Sequence, residues 1–372
     1  MDLRERTSAM LQHLATLVGI ESGSTDIDGI RECASAIERL AHDLTGAKAE
    51  RVEAADGRVH LVWRFGQPAT RVLLVGHFDT VWPKGTLARW PFSVDDAAGS
   101  ATGPGAFDMK SGIVQMFHAI ASVAESKPVD GVTVVLNSDE ELGSQTSRTL
   151  IEDLARGASA ALVVEPSAEG GALKIARKGT SMYEVKVEGR AAHAGLEPEK
   201  GANATVELAH QVLAVNTLGR PEIGTTVTPT VASAGTTTNT VPAEAVLHVD
   251  ARAESTAEQE RVDEAIRALQ SHVPDTRLSI VGGINRAPLA KEASADLFRL
   301  ACEVVSDLGL PELAGVAVGG GSDGNFTAGI GVPTLDGLGA VGGKAHGEGE
   351  WVHVASMSER AALLAGLISR LL

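Results

Sequence analysis

Hydrophobic and polar positions follow two different periods in the first part of the chain. RTSAMLQHLATLVGI and GIRECASAIERLAHDL show the spacing of amphipathic helices, with apolar residues three or four positions apart. RVLLVGHFD, GVTVVLNS and ASAALVVEP are nearly continuous apolar runs of strand length, as expected for a sheet covered on both faces. Strands that alternate with helices in this way predict a layered α/β domain.

The pattern changes near Arg177. SMYEVKVEG alternates strictly between apolar and polar positions, which is typical of a strand with one solvated face. The segments that follow predict the order β-α-β-β-α-β, the split βαβ arrangement, and the α/β pattern then resumes. The sequence therefore predicts a discontinuous α/β domain over residues 1–177 and 285–372, with a mixed sheet between helices. A separate α+β domain is inserted at 178–284.

Composition and charge exclude several classes of protein. A net charge of −16 over 372 residues disfavours binding to the phosphate backbone of nucleic acids, which needs clustered Lys and Arg. The chain has no apolar run of about 18 residues that would span a membrane, and no secretory apolar segment follows the first charges. We therefore expect a cytoplasmic protein, in which Cys33 and Cys302 are free thiols.

Acidic and histidine residues occur where predicted strands give way to loops. Ligands of α/β sheets bind at the carboxyl ends of the strands, so these side chains are candidates for a common site. The candidates that follow predicted strands are His77, Asp79, Glu140, Glu141 and Glu165, and two more are Asp108, just before a predicted helix, and His346, in a glycine-rich loop. A single histidine or glutamate at such a position is usually structural, but several at one edge of a sheet would repel one another unless a cation were present. Histidine and carboxylate ligands without a thiolate suit Zn²⁺, with Mn²⁺ or Co²⁺ as alternatives.

The motifs around these residues resemble those of the co-catalytic zinc exopeptidases and deacylases. The matching segments are GHFDTV, GPGAFDMKSG, SDEELGS, VVEP and the histidine of GGKAHGEGEWV, and the similarity covers nearly the whole chain. This family includes glutamate carboxypeptidase, acetylornithine deacetylase and succinyl-diaminopimelate desuccinylase. The segments GRAAHAGLEPEKGANA and GGGSDGNF resemble the glutamate carboxypeptidase branch most.

The resemblance implies a role for each matched residue. Asp108 would bridge two Zn²⁺ ions; His77 and Glu165 would complete one ion, and Glu141 and His346 the other. Glu140 would act as general base, and Asp79 would orient His77. The peptide bond after Asp108 is commonly cis in this family. No role follows for Asp139, for which a solvated or capping position is expected, nor for Lys174.

The resemblance also assigns residues of the inserted domain. Arg252 would bind the α-carboxylate of the substrate, with Asn239 near it. His193 would reach the active site of a partner subunit and stabilise the oxyanion, which implies a homodimer formed through the inserted domain. One departure from the family pattern is Ser111, where glycine is usual; because serine can cap a helix there, we expect little effect on metal binding.

The resemblance leaves the substrate open between two chemistries. Our first expectation is release of C-terminal glutamate, or a similar acidic residue, from peptide or N-acyl conjugates. The alternative is an N-acyl-amino-acid deacylase, since both reactions cleave an amide beside a free carboxylate. A non-catalytic protein of this fold is disfavoured because every metal and base position is filled.

A serine hydrolase is the remote alternative. Gly320, Ser322 and Gly324 satisfy the G-x-S-x-G pattern, and Asp336 and His346 follow in the required order. The short separation between Ser322 and His346 argues against that fold, and the metal-type residues would then have no role.

Overall fold

The computed structural model describes residues 3–66 and 69–372. Its helices are α1 (Thr7–Val18), α2 (Ile27–Thr45), α3 (Thr86–Arg89), α4 (Ser111–Ala124), α5 (Arg148–Ala155), α6 (Ala204–Asn216), α7 (Thr256–Arg267), α8 (Lys291–Asp307), α9 (Gly324–Gly329) and α10 (Val354–Leu371). Its strands are β1 (Glu50–Glu53), β2 (Val59–Arg64), β3 (Val72–His77), β4 (Ser93–Asp95), β5 (Ser100–Thr102), β6 (Val132–Asn137), β7 (Ala160–Val163), β8 (Leu173–Arg177), β9 (Gly179–Glu188), β10 (Ala192–His193), β11 (Thr226–Ala234), β12 (Thr240–Val241), β13 (Glu244–Ala253), β14 (Arg277–Arg286), β15 (Gly315–Val318), β16 (Thr334–Leu335), β17 (Gly342–Gly343) and β18 (Trp351–His353).

These elements form two compact units. The first contains the residues up to Ala176 together with Leu289–Val318 and Ser322–Leu372. The second contains Arg177–Pro288 and the short segment Gly319–Gly321. The second unit begins one residue before the predicted 178–284 segment and ends four residues after it. The inclusion of Gly319–Gly321 has no counterpart in the sequence pattern.

A six-stranded mixed sheet organises the first unit. Its strand order is β1-β2-β6-β3-β7-β16, in which β3 pairs in parallel with both β6 and β7, and β16 pairs in parallel with β7. β2 is antiparallel to β6, and β1 is antiparallel to β2. The mixed sheet of the sequence prediction is confirmed. Because β3, β6 and β7 run in the same direction, their carboxyl ends meet at one edge of the sheet.

Helices cover this sheet and bury its apolar strands. β3 and β6 are buried along their whole length, and Trp63 of β2 packs edge-on against Phe117 of α4 with 5.0 Å between ring centroids. α4 lies close to the sheet because Gly112 has no side chain: a Cβ there would stand 2.1 Å from the Val164 carbonyl oxygen. Cys33, a free thiol, is buried in this core. In residues 3–66 and 69–372 no helix has the length and apolarity needed to cross a bilayer.

The second unit is an antiparallel four-stranded sheet with two helices. Its strand order is β11-β13-β9-β14, and along the chain the elements run β9-α6-β11-β13-α7-β14, the order that the alternating pattern predicts. Alternate residues of β13 are buried, among them Leu247 and Val249, and these pack with residues of α6 and α7 such as Leu208 and Ile266. The opposite face of β13 carries polar side chains, including Asp250 and Arg252.

Candidate active site

Three parallel strands bring the sequence-predicted residues of the first unit to one edge. His77 is the last residue of β3, and Glu165 follows β7 after Val164. Glu140 and Glu141 lie in a 3₁₀ turn, Glu140–Leu142, just after β6. The position is the carboxyl edge of a parallel sheet, where loops are free to present side chains to a ligand.

Asp108 lies at the centre of this cluster. Its Oδ1 is 3.3 Å from Nε2 of His77, and its Oδ2 is 3.2 Å from Nε2 of His346. His77 Nε2 is also 3.4 Å from Oε1 of Glu165, and His346 Nε2 is 3.2 Å from Oε2 of Glu141. One carboxylate thus joins two pairs, each made of one histidine and one glutamate.

The loop that carries Asp108 is held from two sides. The Asp108–Met109 peptide bond is cis, as the resemblance implied. Met109 Sδ accepts the backbone N–H of His77 at 3.3 Å, and buried Lys110 donates from Nζ to the Ile20 carbonyl at 2.7 Å. Met109 fits because residue 76 is glycine: a Cβ there would stand 2.9 Å from the Met109 methyl group.

His346 comes from a much later part of the chain than the other residues of the cluster. It lies in the loop between β17 and β18, with a left-handed φ of 60°, which is uncommon for a residue other than glycine. Its side chain is 54% exposed, in contrast to the buried His77. The cluster therefore has a closed side at His77 and an open side at His346.

The cluster is strongly polarised in the absence of an ion. Burial opposes the charged form of His77, but Asp108, Asp79 and Glu165 raise its pKa well above the ordinary value. Asp108 and Glu141 raise the pKa of His346 to about 10. Burial would raise the pKa of Asp108, but the two histidines hold it well below the usual range. Burial raises the pKa of Glu141.

Two observations indicate that the residues of this cluster suit a metal ion. Asp108 Oδ1 and Glu141 Oε1 are buried and have no hydrogen-bond partner among the described residues, although a buried carboxylate oxygen without one is costly. Ligand atoms of His77, Asp108 and Glu141 lie within 4.8 Å of one another, and so do those of His77, Glu140 and Glu165. Imidazole nitrogens and carboxylate oxygens at these separations are a suitable donor set for Zn²⁺.

Asp79 and Asp139 hold the loop that carries the two glutamates. Asp79 is fully buried, and its oxygens accept the backbone N–H groups of Glu140 at 3.2 Å and Glu141 at 3.3 Å. Asp139 is also buried and accepts from Thr146 N–H at 2.6 Å and from the Ser147 hydroxyl at 2.6 Å. The expectation that Asp139 is solvated was wrong. Asp139 occupies the N-cap position of the 3₁₀ turn, but its side chain makes no capping bond and closes the loop from inside.

Two further acidic residues near the site were missed in the sequence. Glu350 is fully buried and accepts the Phe107 N–H at 3.3 Å and the Trp82 indole N–H at 3.4 Å; burial, and then the charge of Asp108, raise its pKa to about 8. Asp323 accepts from Ser144 Oγ at 2.5 Å and from Asn137 Nδ2 at 2.7 Å. Both lie in segments already singled out, HGEGEWV and GGGSDGNF, but neither follows a predicted strand and the resemblance assigned neither a role.

The serine hydrolase alternative was wrong. Ser322 is fully buried, and its hydroxyl donates to Asp336 Oδ2 at 2.5 Å and accepts the Gly324 N–H at 3.1 Å. His346, the base that a triad would need, contacts Asp108 and Glu141 instead. Ser111 is the first residue of α4, after the N-cap residue Lys110, and its hydroxyl accepts from Gln115 at 3.5 Å.

His193 lies in the second unit with one ring nitrogen engaged. Its Nδ1 is 3.1 Å from the backbone nitrogens of both Gly195 and Leu196, whose N–H groups donate to it. Since Nδ1 accepts, the proton of the neutral ring is on Nε2. The side chain lies in an exposed part of β10. His193 therefore presents a donor, Nε2–H, to whatever approaches it.

Asn239 precedes β12 in the second unit, whereas Arg252 belongs to β13. The Asn239 carbonyl accepts the Ala194 N–H at 2.9 Å, so Asn239 lies beside His193, whereas Arg252 is near the carboxyl end of β13. The expectation that Asn239 lies near Arg252 is therefore wrong within one chain. Arg252 donates from Nε and Nη2 to Asp250, both at 2.8 Å, so that two of its three nitrogens are already engaged.

Comparisons with known proteins show the family to which the chain belongs. A family model described as peptidase family M20/M25/M40 matches residues 73–370. The chain is 31% identical over 374 residues to carboxypeptidase G2 of Pseudomonas sp. (strain RS-16), with 97% of this chain and 88% of that protein covered. It is 33% identical over 191 residues to succinyl-diaminopimelate desuccinylase of Paracoccus denitrificans (strain Pd 1222), covering 46% and 50% of the two proteins.

A solved structure of similar fold extends the comparison to the whole chain. The M20 family metallo-carboxypeptidase Sso-CP2 from Sulfolobus solfataricus superimposes with a TM-score of 0.78 at 15% identity, covering 97% of this chain and 98% of that one. The family match, the extended similarity and the cluster of histidines and carboxylates all point to a metallopeptidase. The chain belongs to peptidase family M20/M25/M40 and is a hydrolase of that family.

Proposed function

We propose that the protein is a zinc-dependent amide hydrolase that releases a C-terminal amino acid, glutamate or a similar acidic residue, from peptide or N-acyl conjugates. The observation that carries the proposal is the position of Asp108 between His77 with Glu165 and His346 with Glu141. This arrangement would hold two Zn²⁺ ions, with Co²⁺ or Mn²⁺ as substitutes. Bound there, the ions would supply Lewis acidity that polarises the scissile carbonyl and lowers the pKa of water.

Glu140 is proposed as the residue that moves the proton. Its backbone is fixed by Asp79, which leaves the carboxylate at the rim of the cluster next to Glu165 and His77. A carboxylate in that position can take a proton from the attacking water and deliver it to the departing amine nitrogen. The distances alone would also allow Glu140 to be a ligand, so its assignment as base rests on the family resemblance.

Arg252 and His193 are proposed to bind the substrate from the second unit. Arg252 would meet the free α-carboxylate through Nη1, since Asp250 engages its other two nitrogens and fixes the plane of the guanidinium. His193 would donate from Nε2 to the oxyanion of the tetrahedral intermediate. Replacing Arg252 by Met should raise KM for acidic substrates, and replacing Asp250 by Asn is the matched control for the orientation of the guanidinium.

A homodimer through the second unit is part of the proposal. β11 is an edge strand of its sheet, and Val231 on it is 57% exposed. Leu213, on the neighbouring helix α6, is 69% exposed. An unpaired edge with exposed apolar side chains beside it suits association with a second copy.

The test mixes inactive His193→Ala and Glu140→Gln subunits: recovered activity would mean that His193 acts across the interface. No recovery in confirmed heterodimers would rule that role out.

The chemistry is tested with a substrate panel and two inhibitors. N-acyl-glutamate, N-acyl-leucine and N-acyl-lysine with one acyl group are compared at saturating Zn²⁺, and the acyl group is then varied between acetyl, succinyl and benzoyl on glutamate. We expect the highest kcat/KM on glutamate, inhibition by a chelator, and none by an organophosphate. A preference for basic or apolar C-terminal residues throughout would overturn the proposed substrate.

An N-acyl-amino-acid deacylase is the second candidate. It is favoured by the similarity to the Paracoccus denitrificans desuccinylase, although that similarity covers half of the relative and less than half of this chain. A rate that depends strongly on the acyl group and weakly on the amino acid would support the deacylase over the carboxypeptidase.

A further inference from the structure

Glu350 is a buried carboxylate at the end of the loop that carries His346. It directly precedes β18 and is fully buried, whereas the other residues of 344–350, all of which the structure describes, are exposed or half-buried. Its backbone is held on both sides: its N–H donates to the Gly347 carbonyl at 3.0 Å, and its carbonyl accepts the Thr102 hydroxyl at 2.6 Å. Glu350 therefore anchors a loop that is otherwise accessible to solvent.

The side chain of Glu350 joins the His346 loop to two other segments of the first unit. Its Oε1 accepts the backbone N–H of Phe107 at 3.3 Å, and Phe107 immediately precedes Asp108. Its Oε2 accepts the indole N–H of Trp82 at 3.4 Å, in the segment that follows β3. One carboxylate thus links the loop of Asp108, the loop of His346 and the segment after β3.

The donors that meet this carboxylate are themselves fixed. The Trp82 ring packs edge-on against Trp90 with 5.0 Å between ring centroids, and the Trp90 indole donates to the Thr102 hydroxyl at 3.2 Å. The same hydroxyl donates to the Glu350 carbonyl, so the contacts form a closed set. A buried carboxylate is costly unless donors reach it. The two N–H groups therefore determine where the Glu350 side chain, and with it the end of the loop, can lie.

The two histidines of the cluster differ in how they are supported. His77 is buried at the end of β3, and its Nδ1 lies 3.0 Å from the Asp79 carbonyl oxygen. His346 is 54% exposed, and it lies in a loop in which both Lys344 and His346 have a left-handed φ, 63° and 60°. An exposed histidine takes its position from its loop. The 3.2 Å separation of His346 Nε2 from Asp108 Oδ2 therefore depends on what anchors that loop.

We propose that Glu350 is a positioning residue that sets the separation of His346 from Asp108. It acts through the Phe107 N–H on one loop and through its own backbone on the other. Both of its oxygens accept N–H groups of the protein, so Glu350 has no role as a metal ligand in this proposal.

This inference rests on the proposed function and deepens it, because it distinguishes the two ions. Glu350 controls the affinity for the ion held by His346, Asp108 and Glu141. The ion on the side of His77 is supported independently, since Asp79 contacts the ring and Met109 Sδ accepts the His77 N–H. Loss of the Glu350 contacts should therefore loosen one ion and not the other.

The test measures both zinc affinities of the folded protein with a competing chromogenic chelator. Glu350→Gln keeps the shape of the side chain but replaces one acceptor oxygen by an NH₂ group, which opposes the donor of Phe107 or Trp82. One of the two affinities should fall about 10–100-fold, the usual loss when an outer support of a metal ligand is removed. The other affinity should stay close to that of the wild type. His346→Ala identifies the affinity concerned, because it removes the ligand itself.

Two further variants separate positioning from a general loss of structure. Trp82→Phe removes one donor to Glu350 and keeps an aromatic ring, so it should weaken the same ion less, and it decides the question if Glu350→Gln does not fold. Glu348→Gln is the matched control: it makes the same chemical change in the same loop, but Glu348 is 63% exposed. Its two zinc affinities should match the wild type.

Unfolding by urea is measured on the same proteins. Glu350→Gln and Trp82→Phe variants with wild-type zinc affinities, even at lower stability, would overturn the inference, because Glu350 would then be merely structural. Equal weakening of both ions would also overturn it. A wild type that binds no zinc would overturn the proposed function as well, whereas two bound zincs and unaffected variants would leave the proposed function intact.

Discussion

The Asp79 carboxylate fixes the backbone of Glu140: its Oδ1 accepts the Glu140 N–H at 3.2 Å. The other oxygen of Asp79 accepts the Glu141 N–H at 3.3 Å and the Ser24 hydroxyl at 2.8 Å. Oδ1 also lies 3.4 Å from Nδ1 of His77. One buried side chain thus sets the position of a proposed metal ligand on β3 and of both glutamates after β6.

We first predict that Asp79→Asn lowers both zinc affinity and turnover. In the wild type the backbone N–H donors meet carboxylate oxygens of Asp79. The asparagine amide has nearly the same shape, but its NH₂ group would place a donor against one of those donors. Loss of an outer partner of a metal ligand typically costs about 10–100-fold in affinity or activity. Zinc competition with a chromogenic chelator and kcat on N-acyl-glutamate measure the effect. Ser24→Ala removes one of the hydrogen bonds to Asp79 and should lower zinc affinity and kcat less. An Asp79→Asn variant with wild-type zinc affinity would contradict the prediction.

The second prediction separates the adjacent glutamates. Glu140→Gln should bind two zinc ions and lose about 10²–10⁴-fold in kcat, because a proton-transfer group is removed. Glu141→Gln, the matched neighbour, should lose zinc as well as activity, because Glu141 contacts His346. Metal content by mass spectrometry and kcat are measured on both proteins. Near-normal turnover by Glu140→Gln with two bound zincs would remove Glu140 as the base.

The sequence predicted which side chains after β3, β6 and β7 lie together because that information is local. β-branched apolar runs define β3, β6 and β7, and the residue that follows each strand is read directly from the sequence. Parallel pairing then places His77, Glu140, Glu141 and Glu165 together without further assumptions. His346 and Asp108 were not placed by this rule, and only the resemblance connected them to the strand ends.

Residues that act through tertiary hydrogen bonds were not predictable in the same way. Asp139 lies in a run of three carboxylates that looks solvated, and its burial depends on Thr146 and Ser147 folding back over it. Glu350 is buried because Trp82 and Phe107, far away in sequence, donate to it. Asn239 was misplaced because the loop before β12 turns toward His193. In each case the partner is distant or the turn is not encoded by a local pattern.

Our third prediction concerns Asp139. Asp139→Ala should lower the free energy of unfolding by roughly 2–4 kcal/mol, because three donors from Thr146 and Ser147 lose a charged acceptor in a buried loop. Chemical denaturation measures the loss, and hydrogen exchange of residues 138–147 should accelerate. Asp153→Ala, an exposed carboxylate on the following helix, is the control and should change stability by less than about 0.5 kcal/mol.

The fourth prediction uses Ser322. Ser322→Ala removes a hydrogen bond to buried Asp336 and should cost stability of about 1–3 kcal/mol, but kcat should remain within a few-fold of the wild type. A serine nucleophile would instead lose several orders of magnitude in kcat when replaced by alanine. Steady-state kinetics at a temperature where both proteins are folded distinguishes the two outcomes.

The last prediction is a pH dependence of stability that arises away from the active site. His118 of α4 is buried and lies 3.0 Å from His13, ring nitrogen to ring nitrogen. Burial, and then the charge of His13, lower the pKa of His118 to about 4 from the ordinary histidine value of about 6.5. Between these values the unfolded chain binds more protons than the folded protein. Its stability is therefore fully present above about pH 6.5 and is lost as the pH falls toward 4.

His118→Phe removes this titration and keeps a ring in the core. From about pH 7.5 to about pH 5, the wild type should lose up to about 2 kcal/mol more stability than the variant. Urea denaturation in excess zinc at both pH values gives the difference, in which any release of metal common to both proteins cancels. His210→Phe, at an exposed position of the second unit, should retain the wild-type pH dependence. If the wild type and His118→Phe lost equal stability between these pH values, His118 would not control acid stability. Its pKa would then be the same in the folded and the unfolded protein.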